Sequence, residues 1–130
     1  MQIKNNVFVI TGGGRGLGRA MAESLAKQGA SLALIDLNNE NLLEATSSCE
    51  SLGGKAQGYV CDITVEKDVE ECFVKIKKDF GQINGLVNNA GLMRDGMLIK
   101  VKDGELQAKM SVDQFQSVVN VNLLGPFLCG

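Results

Sequence analysis

Residues 11–18 have the sequence TGGGRGLG, a glycine-rich turn that lies between two patterned segments. Residues 6–10 are rich in β-branched and aromatic side chains and predict a buried strand. After the turn, apolar residues recur at helical spacing from Leu17 to Leu25, and Gly29 is a typical helix stop. A strand, a glycine turn and a helix in this order bring backbone N–H groups and a helix N-terminus together, which favours phosphate binding.

The chain continues with the same alternation of strand and helix patterns. Further strands are predicted at 31–36, 56–61 and 83–87, and further helices at 38–52 and 65–80. Thr64 is placed to cap the last of these helices and Gly81 to end it. Alternating strands and helices predict right-handed crossovers and a parallel sheet with helices on both faces, which is a doubly wound α/β fold.

Residues 97–110 follow a different pattern, in which two short segments flank an Asp-Gly dipeptide at 103–104. This pattern predicts a β-hairpin with a two-residue turn. The predicted register pairs Val101 with Leu106 and Ile99 with Ala108, which would give one apolar face. The hairpin is interpreted either as a flap over a ligand site or as a surface excursion without a role.

Composition excludes several classes of function. The chain has 130 residues, enough for one domain, and its 45% hydrophobic and 22% charged content is typical of a globular protein. A formal net charge of −2 gives no electrostatic basis for binding nucleic acid or an anionic membrane. No apolar run reaches the ~20 residues of a membrane span. The N-terminus has no signal-peptide pattern, so a cytoplasmic location is the default expectation.

Cysteine usage argues against metal binding. The four cysteines form no Cys-x-x-Cys pair and the chain has no histidine, so neither a zinc site nor a histidine-dependent nucleophile is expected. In a reducing cytosol, Cys49, Cys61, Cys72 and Cys129 are expected to be small buried apolar side chains.

Asp36 ends the second predicted strand and lies 20 positions after Gly16. This is the spacing at which a dinucleotide-binding unit places the carboxylate that binds the adenosine ribose. A carboxylate can accept hydrogen bonds from the ribose hydroxyls and would repel a 2′-phosphate, which favours NAD, with NADP as the alternative. The other interpretation is a carboxylate that only caps the helix at 38–52. Arg15 is interpreted as a cation beside the pyrophosphate, the alternatives being a 2′-phosphate clamp or a solvated loop residue.

The glycines do not fit G-x-G-x-x-G in any register. They fit T-G-x-x-x-G-x-G, through Thr11, Gly12, Gly16 and Gly18, and on this motif the chain resembles the short-chain dehydrogenase/reductase family. Three further motifs are similar to those of the family: Asp62 after the third strand, Asn88-Asn89-Ala90-Gly91 after the fourth, and Asn122 within Val121-Asn122-Leu123. Within the family, Asn89-Ala90-Gly91 followed by Arg94-Asp95 looks most like the 3-oxoacyl-(acyl-carrier-protein) reductases.

The resemblance implies the N-terminal part of a Rossmann-type NAD(P)-binding domain with strand order 3-2-1-4. It also implies hydride transfer between a nicotinamide cofactor and a carbonyl or hydroxyl substrate, such as a 3-oxoacyl thioester linked to acyl-carrier protein or CoA, in a homotetramer. Asn122 matches the asparagine of the family's catalytic tetrad. The residues that the resemblance places at the cofactor are Gly12, Gly14, Arg15, Gly16, Leu17, Gly18, Asp36, Leu37, Cys61, Asp62, Ile63, Asn89, Ala90 and Gly91.

The remaining catalytic residues of the family, a serine followed by Tyr-x-x-x-Lys, lie downstream of the Asn122 helix. The only tyrosine, Tyr59, has no lysine four residues on and cannot substitute. The chain therefore looks like the N-terminal portion of a longer enzyme, and residues 1–130 alone are expected to show no turnover. Two other interpretations stay open: a dinucleotide-binding module without catalysis, and an alcohol, sugar or steroid dehydrogenase of the same family.

Overall fold

The computed structural model of the chain describes residues 2–90, 99–102, 105–109 and 129. Strands and helices alternate through the first of these ranges, and an antiparallel pair of strands follows. The elements are β1 (Val7–Thr11), α1 (Gly16–Lys27), β2 (Ser31–Asp36), α2 (Asn39–Ser51), β3 (Lys55–Val60), α3 (Glu66–Phe80), β4 (Gly85–Val87), β5 (Ile99–Lys102) and β6 (Glu105–Lys109).

The first four strands form a parallel sheet in the order β3-β2-β1-β4, which confirms the predicted fold class and strand order. β1 is the strand between β2 and β4, with Val9 opposite Ala33 on one side and Leu86 on the other. Every residue of β1 is buried, as expected for a parallel strand covered on both faces.

The two faces of the sheet have separate cores because successive side chains of a strand point to opposite faces. On one face Phe8 and Ile10 pack in a cluster that includes Ala22 of α1 and Leu42 of α2. On the other face Val9 packs in a cluster that includes residues of α3. Because parallel strands run in the same direction, the loops that follow β1, β2, β3 and β4 all lie at one edge of the sheet.

Three strands and one helix cap differ from the prediction. β1 begins and ends one residue late, at Val7 and Thr11. β3 begins and ends one residue early, at Lys55 and Val60. β4 is three residues long and begins two residues late, at Gly85. Just before it, the Asn84 N–H donates to the Val7 carbonyl at 2.9 Å and Asn84 Oδ1 accepts from the Val7 N–H at 2.8 Å. The prediction that Thr64 caps α3 is wrong, since Val65 is the N-cap. Gly81 ends α3 in the left-handed conformation, as predicted.

The antiparallel pair β5–β6 confirms the predicted hairpin strands, and Val101 pairs with Leu106 as expected. The predicted pairing of Ile99 with Ala108 is wrong: Ala108 pairs with Lys100, and Ile99 pairs with Lys109. The register shifts by one residue between Lys100 and Val101, because β6 carries one residue more than β5 at this point. The predicted single apolar face required Ile99 to pair with Ala108, and the one-residue shift abolishes that pairing.

All four cysteines are free and buried, as the sequence predicts. Burial raises the pKa of the Cys72 thiol to about 12 and that of the Cys49 thiol to about 11, so both stay protonated at neutral pH. Within the described ranges, no helix combines the length and apolar character that crossing a membrane requires.

Polar side chains join α1 to α2 at the surface. Glu23 Oε1 accepts hydrogen bonds from Ser48 Oγ at 2.7 Å and from Arg19 Nε at 2.9 Å. Arg19 also reaches Glu44, with Nη1 3.6 Å from Oε2. The hydrogen bonds from Ser48 and Arg19 lower the pKa of Glu23 below its ordinary value of 4.5.

Replacement of Glu23 by glutamine should cost less than about 1 kcal/mol of stability at pH 7, because the group is partly exposed. A lowered pKa in the folded state means that the carboxylate's contribution is present above pH 4.5 and is lost as the pH falls through the folded-state pKa. Urea unfolding of wild type and Glu23→Gln between pH 3 and 7 measures the difference. Ser48→Ala should add little in a Glu23→Ala background, where the acceptor is gone, and full additivity of these two changes would contradict the hydrogen bond from Ser48 to Glu23.

Candidate functional site

The glycine turn joins β1 to α1 and leaves the start of the helix open to a ligand. Gly12 and Gly16 have φ of +67° and +59°, which favour glycine. Arg15, the N-cap of α1, makes no side-chain cap, and the first turn of the helix carries no acidic residue. The N–H groups of a first helical turn lack intrahelical partners, so this end of α1 can receive an anion.

Gly18 permits a close approach between α1 and the residues that follow β4. A Cβ atom at Gly18 would lie 2.5 Å from Asn89 Nδ2 and would overlap the Gly12 carbonyl. The Asn89 side chain donates a hydrogen bond to that same Gly12 oxygen at 3.4 Å. The position therefore requires glycine for a steric reason.

Thr11, at the end of β1, holds the residues after β4 in place. Its hydroxyl oxygen accepts hydrogen bonds from the backbone N–H groups of Asn89 and Ala90, each at 3.0 Å. It also donates to the Val87 carbonyl at 3.4 Å. Thr11 is 1% exposed, and its hydroxyl supplies the acceptor for the Ala90 N–H and a second acceptor for the Asn89 N–H, which also donates to the Val87 carbonyl at 3.1 Å.

Asp36, at the end of β2, accepts three backbone hydrogen bonds. Its Oδ2 accepts from the Gly14 N–H at 3.0 Å, and its Oδ1 accepts from the N–H groups of Leu37 at 2.8 Å and Asn38 at 3.3 Å. The interpretation of Asp36 as the cap of α2 is wrong, because Asn38 is the N-cap and accepts from the Asn41 N–H at 3.0 Å. The carboxylate instead fastens the glycine turn to the turn after β2.

The turn after β3 forms a third side of the same edge. Asp62 Oδ1 accepts hydrogen bonds from the Thr64 N–H at 3.0 Å and from the Thr64 hydroxyl at 2.6 Å. The Cys61 N–H donates to the Asp36 carbonyl at 3.2 Å, which ties this turn to the end of β2. Cys61 and Ile63 are buried, so they present a small apolar surface beside the Asp62 carboxylate.

These turns enclose a cleft of about 520 Å³, within the usual size of small-molecule sites. Ten of the predicted cofactor residues line it: Gly12, Arg15, Gly16, Asp36, Leu37, Cys61, Asp62, Ile63, Asn89 and Ala90. Gly14, Leu17 and Gly18 lie in the turn and helix beside the cleft without lining it. Gly91 and Asn122 lie outside the described residues. The role of all these residues in binding stays a prediction.

The sequence prediction missed three residues of the cleft wall, Ile35, Asn38 and Asn41. Asn38 had a local signal, because asparagine is among the best N-cap residues and it directly follows the turn after β2. Asn41 had none, since its place at the cleft results from the packing of α2 against the glycine turn.

Tyr59 is buried and hydrogen-bonded to a carboxylate, so it is not available as a catalytic acid or base. Its hydroxyl donates a hydrogen bond to Asp79 Oδ2 at 2.7 Å, and the residue is 5% exposed. Burial, with the Asp79 carboxylate as its neighbour, raises the pKa of Tyr59 far above its ordinary value. Tyr59 therefore joins β3 to α3 and is not a proton donor for the cleft.

Comparison with known proteins agrees with this geometry. A family model described as short chain dehydrogenase matches residues 6–130. The chain is 34% identical over 127 residues to the 3-oxoacyl-[acyl-carrier-protein] reductase of Thermotoga maritima, across 98% of this chain and 48% of that protein. It is 38% identical over 125 residues to the 3-hydroxyacyl-CoA dehydrogenase type-2 of Drosophila melanogaster, across 96% of this chain and 47% of that one. The crystal structure of NAD⁺-bound xylitol dehydrogenase matches with 35% identity and a TM-score of 0.84, over 99% of this chain and 46% of that one.

The sheet order and the alternating helices define a Rossmann-type α/β protein. The chain belongs to the short-chain dehydrogenase family, and the resemblance to 3-oxoacyl-(acyl-carrier-protein) reductases is confirmed. It spans about half the length of the curated relatives that it matches. These relatives are oxidoreductases.

Proposed function

We propose that the protein is an oxidoreductase that uses NAD(H) in preference to NADP(H). The observation that carries the proposal is the Asp36 carboxylate, which three backbone N–H groups fix in the wall of the cleft. The start of α1, which suits an anion, opens on the same cleft. A phosphate site and a ribose-binding carboxylate in one cleft correspond to the diphosphate and the ribose of an adenosine diphosphate group.

The described residues fit such a cofactor. The pyrophosphate would lie at the glycine turn and the start of α1, where Gly12 and Gly16 leave the backbone uncovered. The adenosine ribose would lie against Asp36, and the adenine would lie against the turn of Cys61 and Asp62. When bound, a nicotinamide dinucleotide supplies hydride transfer to or from a carbonyl or alcohol carbon.

The preference for NAD follows from charge. A 2′-phosphate on the ribose would face the Asp36 carboxylate, and two like charges placed together in a binding site cost several kcal/mol. Arg15 also lines the cleft and would be the cation available to a 2′-phosphate. We assign Arg15 to the pyrophosphate instead, because the fixed carboxylate already occupies the ribose side of the cleft.

For the substrate we propose a carbonyl or hydroxyl compound, with a 3-oxoacyl thioester on acyl-carrier protein or CoA as the first candidate. This rests on the relatives named for such substrates, whereas xylitol dehydrogenase supports a sugar-alcohol substrate as the alternative. Because Tyr59 is bonded to Asp79, the proton donor must be another residue. We place it, with Asn122, in a longer chain that forms a cytoplasmic homotetramer.

The second candidate is a dinucleotide-binding module without catalysis. The described cleft supports it in so far as its lining residues fit a dinucleotide, which such a module would bind equally well. Turnover distinguishes the two candidates: the module would bind nucleotide in any longer form of the protein and would reduce no carbonyl substrate.

Titration with NADH and NADPH, followed by nicotinamide fluorescence, tests the cofactor proposal. NADH should bind at least about tenfold more tightly, which corresponds to about 1.4 kcal/mol. Asp36→Ala should remove most of that difference, while Asp68→Ala, on the exposed surface of α3, should leave it unchanged. Tighter binding of NADPH by the wild-type protein would overturn the proposal.

A further inference from the structure

Gly14 touches Asp36 although it does not line the cleft. Its N–H donates to Asp36 Oδ2 at 3.0 Å. Gly14 is not among the glycines with positive φ, so the backbone at this position would accept any L-residue. A reason for glycine here must come from the neighbouring atoms.

Those neighbours leave no room for a side chain. A Cβ atom on Gly14 would lie 2.8 Å from Asp36 Oδ2, 3.1 Å from Asp36 Cγ and 3.0 Å from Asn41 Cβ. Carbon and oxygen atoms that are not bonded do not approach to 2.8 Å without strain, so the Asp36 carboxylate would have to move away. Asn41 of α2 blocks the other direction, which couples the position of the carboxylate directly to the size of residue 14.

The affected oxygen is the one that remains available to a ligand. An ionised carboxylate has about four acceptor sites. Leu37 and Asn38 take two of them on Oδ1, and Gly14 takes one on Oδ2. About one acceptor site is left, and it is on Oδ2, the oxygen that the Gly14 N–H holds in place.

We propose that Gly14 is a positioning residue for nucleotide selection: it places Asp36 Oδ2 to accept a ribose hydroxyl and to repel a 2′-phosphate. The inference rests on the proposed use of NAD(H). A larger residue at position 14 would displace the carboxylate while leaving its charge in the protein. It would therefore weaken the choice between the two nucleotides without removing Asp36.

The test uses ADP-ribose and its 2′-phosphorylated form, which differ only at the ribose 2′ position and need no nicotinamide subsite. Isothermal titration gives the ratio of the two affinities for each variant. Gly14→Ala should reduce the preference for ADP-ribose about tenfold, the usual weight of a hydrogen bond to a charged group. In the Asp36→Ala background, Gly14→Ala should change the ratio no further, because the group through which it acts is gone.

Gly13→Ala is the matched control. Its Cβ would meet Leu34 Cδ2 at 3.0 Å and the Ile10 carbonyl at 3.1 Å, so it crowds the same turn without touching Asp36. It should change both affinities by the same factor. If Gly14→Ala does the same, Gly14 has only a structural role and the inference is overturned.

Two further results separate the inference from the proposal beneath it. A wild-type chain that prefers the 2′-phosphorylated nucleotide overturns the use of NAD(H), whereas a wild-type preference for ADP-ribose that survives Gly14→Ala overturns the inference alone. If circular dichroism shows that Gly14→Ala unfolds the chain, the double variant Gly14→Ala with Asp36→Ala tests whether the Asp36 carboxylate causes the unfolding. A folded double variant supports the steric contact between residue 14 and Asp36, whereas an unfolded double variant contradicts it.

Discussion

Gly18→Ala is expected to abolish nucleotide binding and to lower the free energy of unfolding by about 3 kcal/mol, the upper range for an overpacked position. The new Cβ would overlap the Gly12 carbonyl and lie 2.5 Å from Asn89 Nδ2. The Gly12 backbone cannot turn aside as a flexible side chain could. Either α1 moves away from the residues after β4 or the glycine turn is displaced, and both changes open the cleft.

The predicted loss of stability on Gly18→Ala is informative because helix propensity alone would predict a gain. Within a helix, alanine is favoured over glycine by about 1 kcal/mol, so an ordinary helical glycine would gain stability from the change. Urea unfolding and ADP-ribose titration measure the two consequences. A Gly18→Ala chain with wild-type stability and affinity would show that the contact with Gly12 and Asn89 is not maintained in solution.

Gly53→Ala provides the control for a general glycine effect. Gly53 has φ of +101° and open space around its position, so the change strains the backbone without creating a contact. It follows α2 and lies away from the cleft-lining residues. Stability should fall by about 1 kcal/mol while the affinity for ADP-ribose stays the same.

The glycine turn shows how far the sequence alone could go. The β-branched residues at 6–10, the glycines at 12–18 and the apolar spacing from Leu17 to Leu25 predicted the strand, the turn and the helix, because each of these patterns is local in the sequence. The identity of the atom that Gly18 approaches could not be predicted in this way. Asn89 lies 71 positions further along the chain and comes into contact only because β4 adds to the sheet beside β1.

For Asp36, too, the sequence predicted the position of the residue but not its contacts. Its distance from Gly16 predicted a carboxylate beside the glycine turn, and the structure places it there. Its hydrogen bonds with Gly14, Leu37 and Asn38 depend on how two turns pack, which no local pattern encodes. The incorrect cap at Thr64 has a related cause, since the Thr64 hydroxyl bonds to the Asp62 carboxylate instead of a helix N–H.

Thr11→Val is expected to lower the free energy of unfolding by about 2 kcal/mol, because it leaves the Ala90 N–H without its acceptor and the Asn89 N–H with only the Val87 carbonyl at 3.1 Å. Valine has nearly the shape of threonine, so the change creates no cavity in the buried end of β1. It removes the oxygen that accepts from the N–H groups of Asn89 and Ala90. Both of these residues line the cleft, so the affinity for ADP-ribose should fall together with the stability.

Thr11→Ser is the matched control, since it keeps the hydroxyl and loses only a methyl group. Its effect on stability should be about 1 kcal/mol, the cost of one buried methyl. Hydrogen exchange distinguishes the two variants at the atoms concerned: the amides of Asn89 and Ala90 should exchange faster in Thr11→Val and stay protected in Thr11→Ser. Equal protection in both variants would mean that the Thr11 hydroxyl does not hold the segment after β4. In that case the cleft wall would depend on the Asn89 side-chain bond to the Gly12 carbonyl.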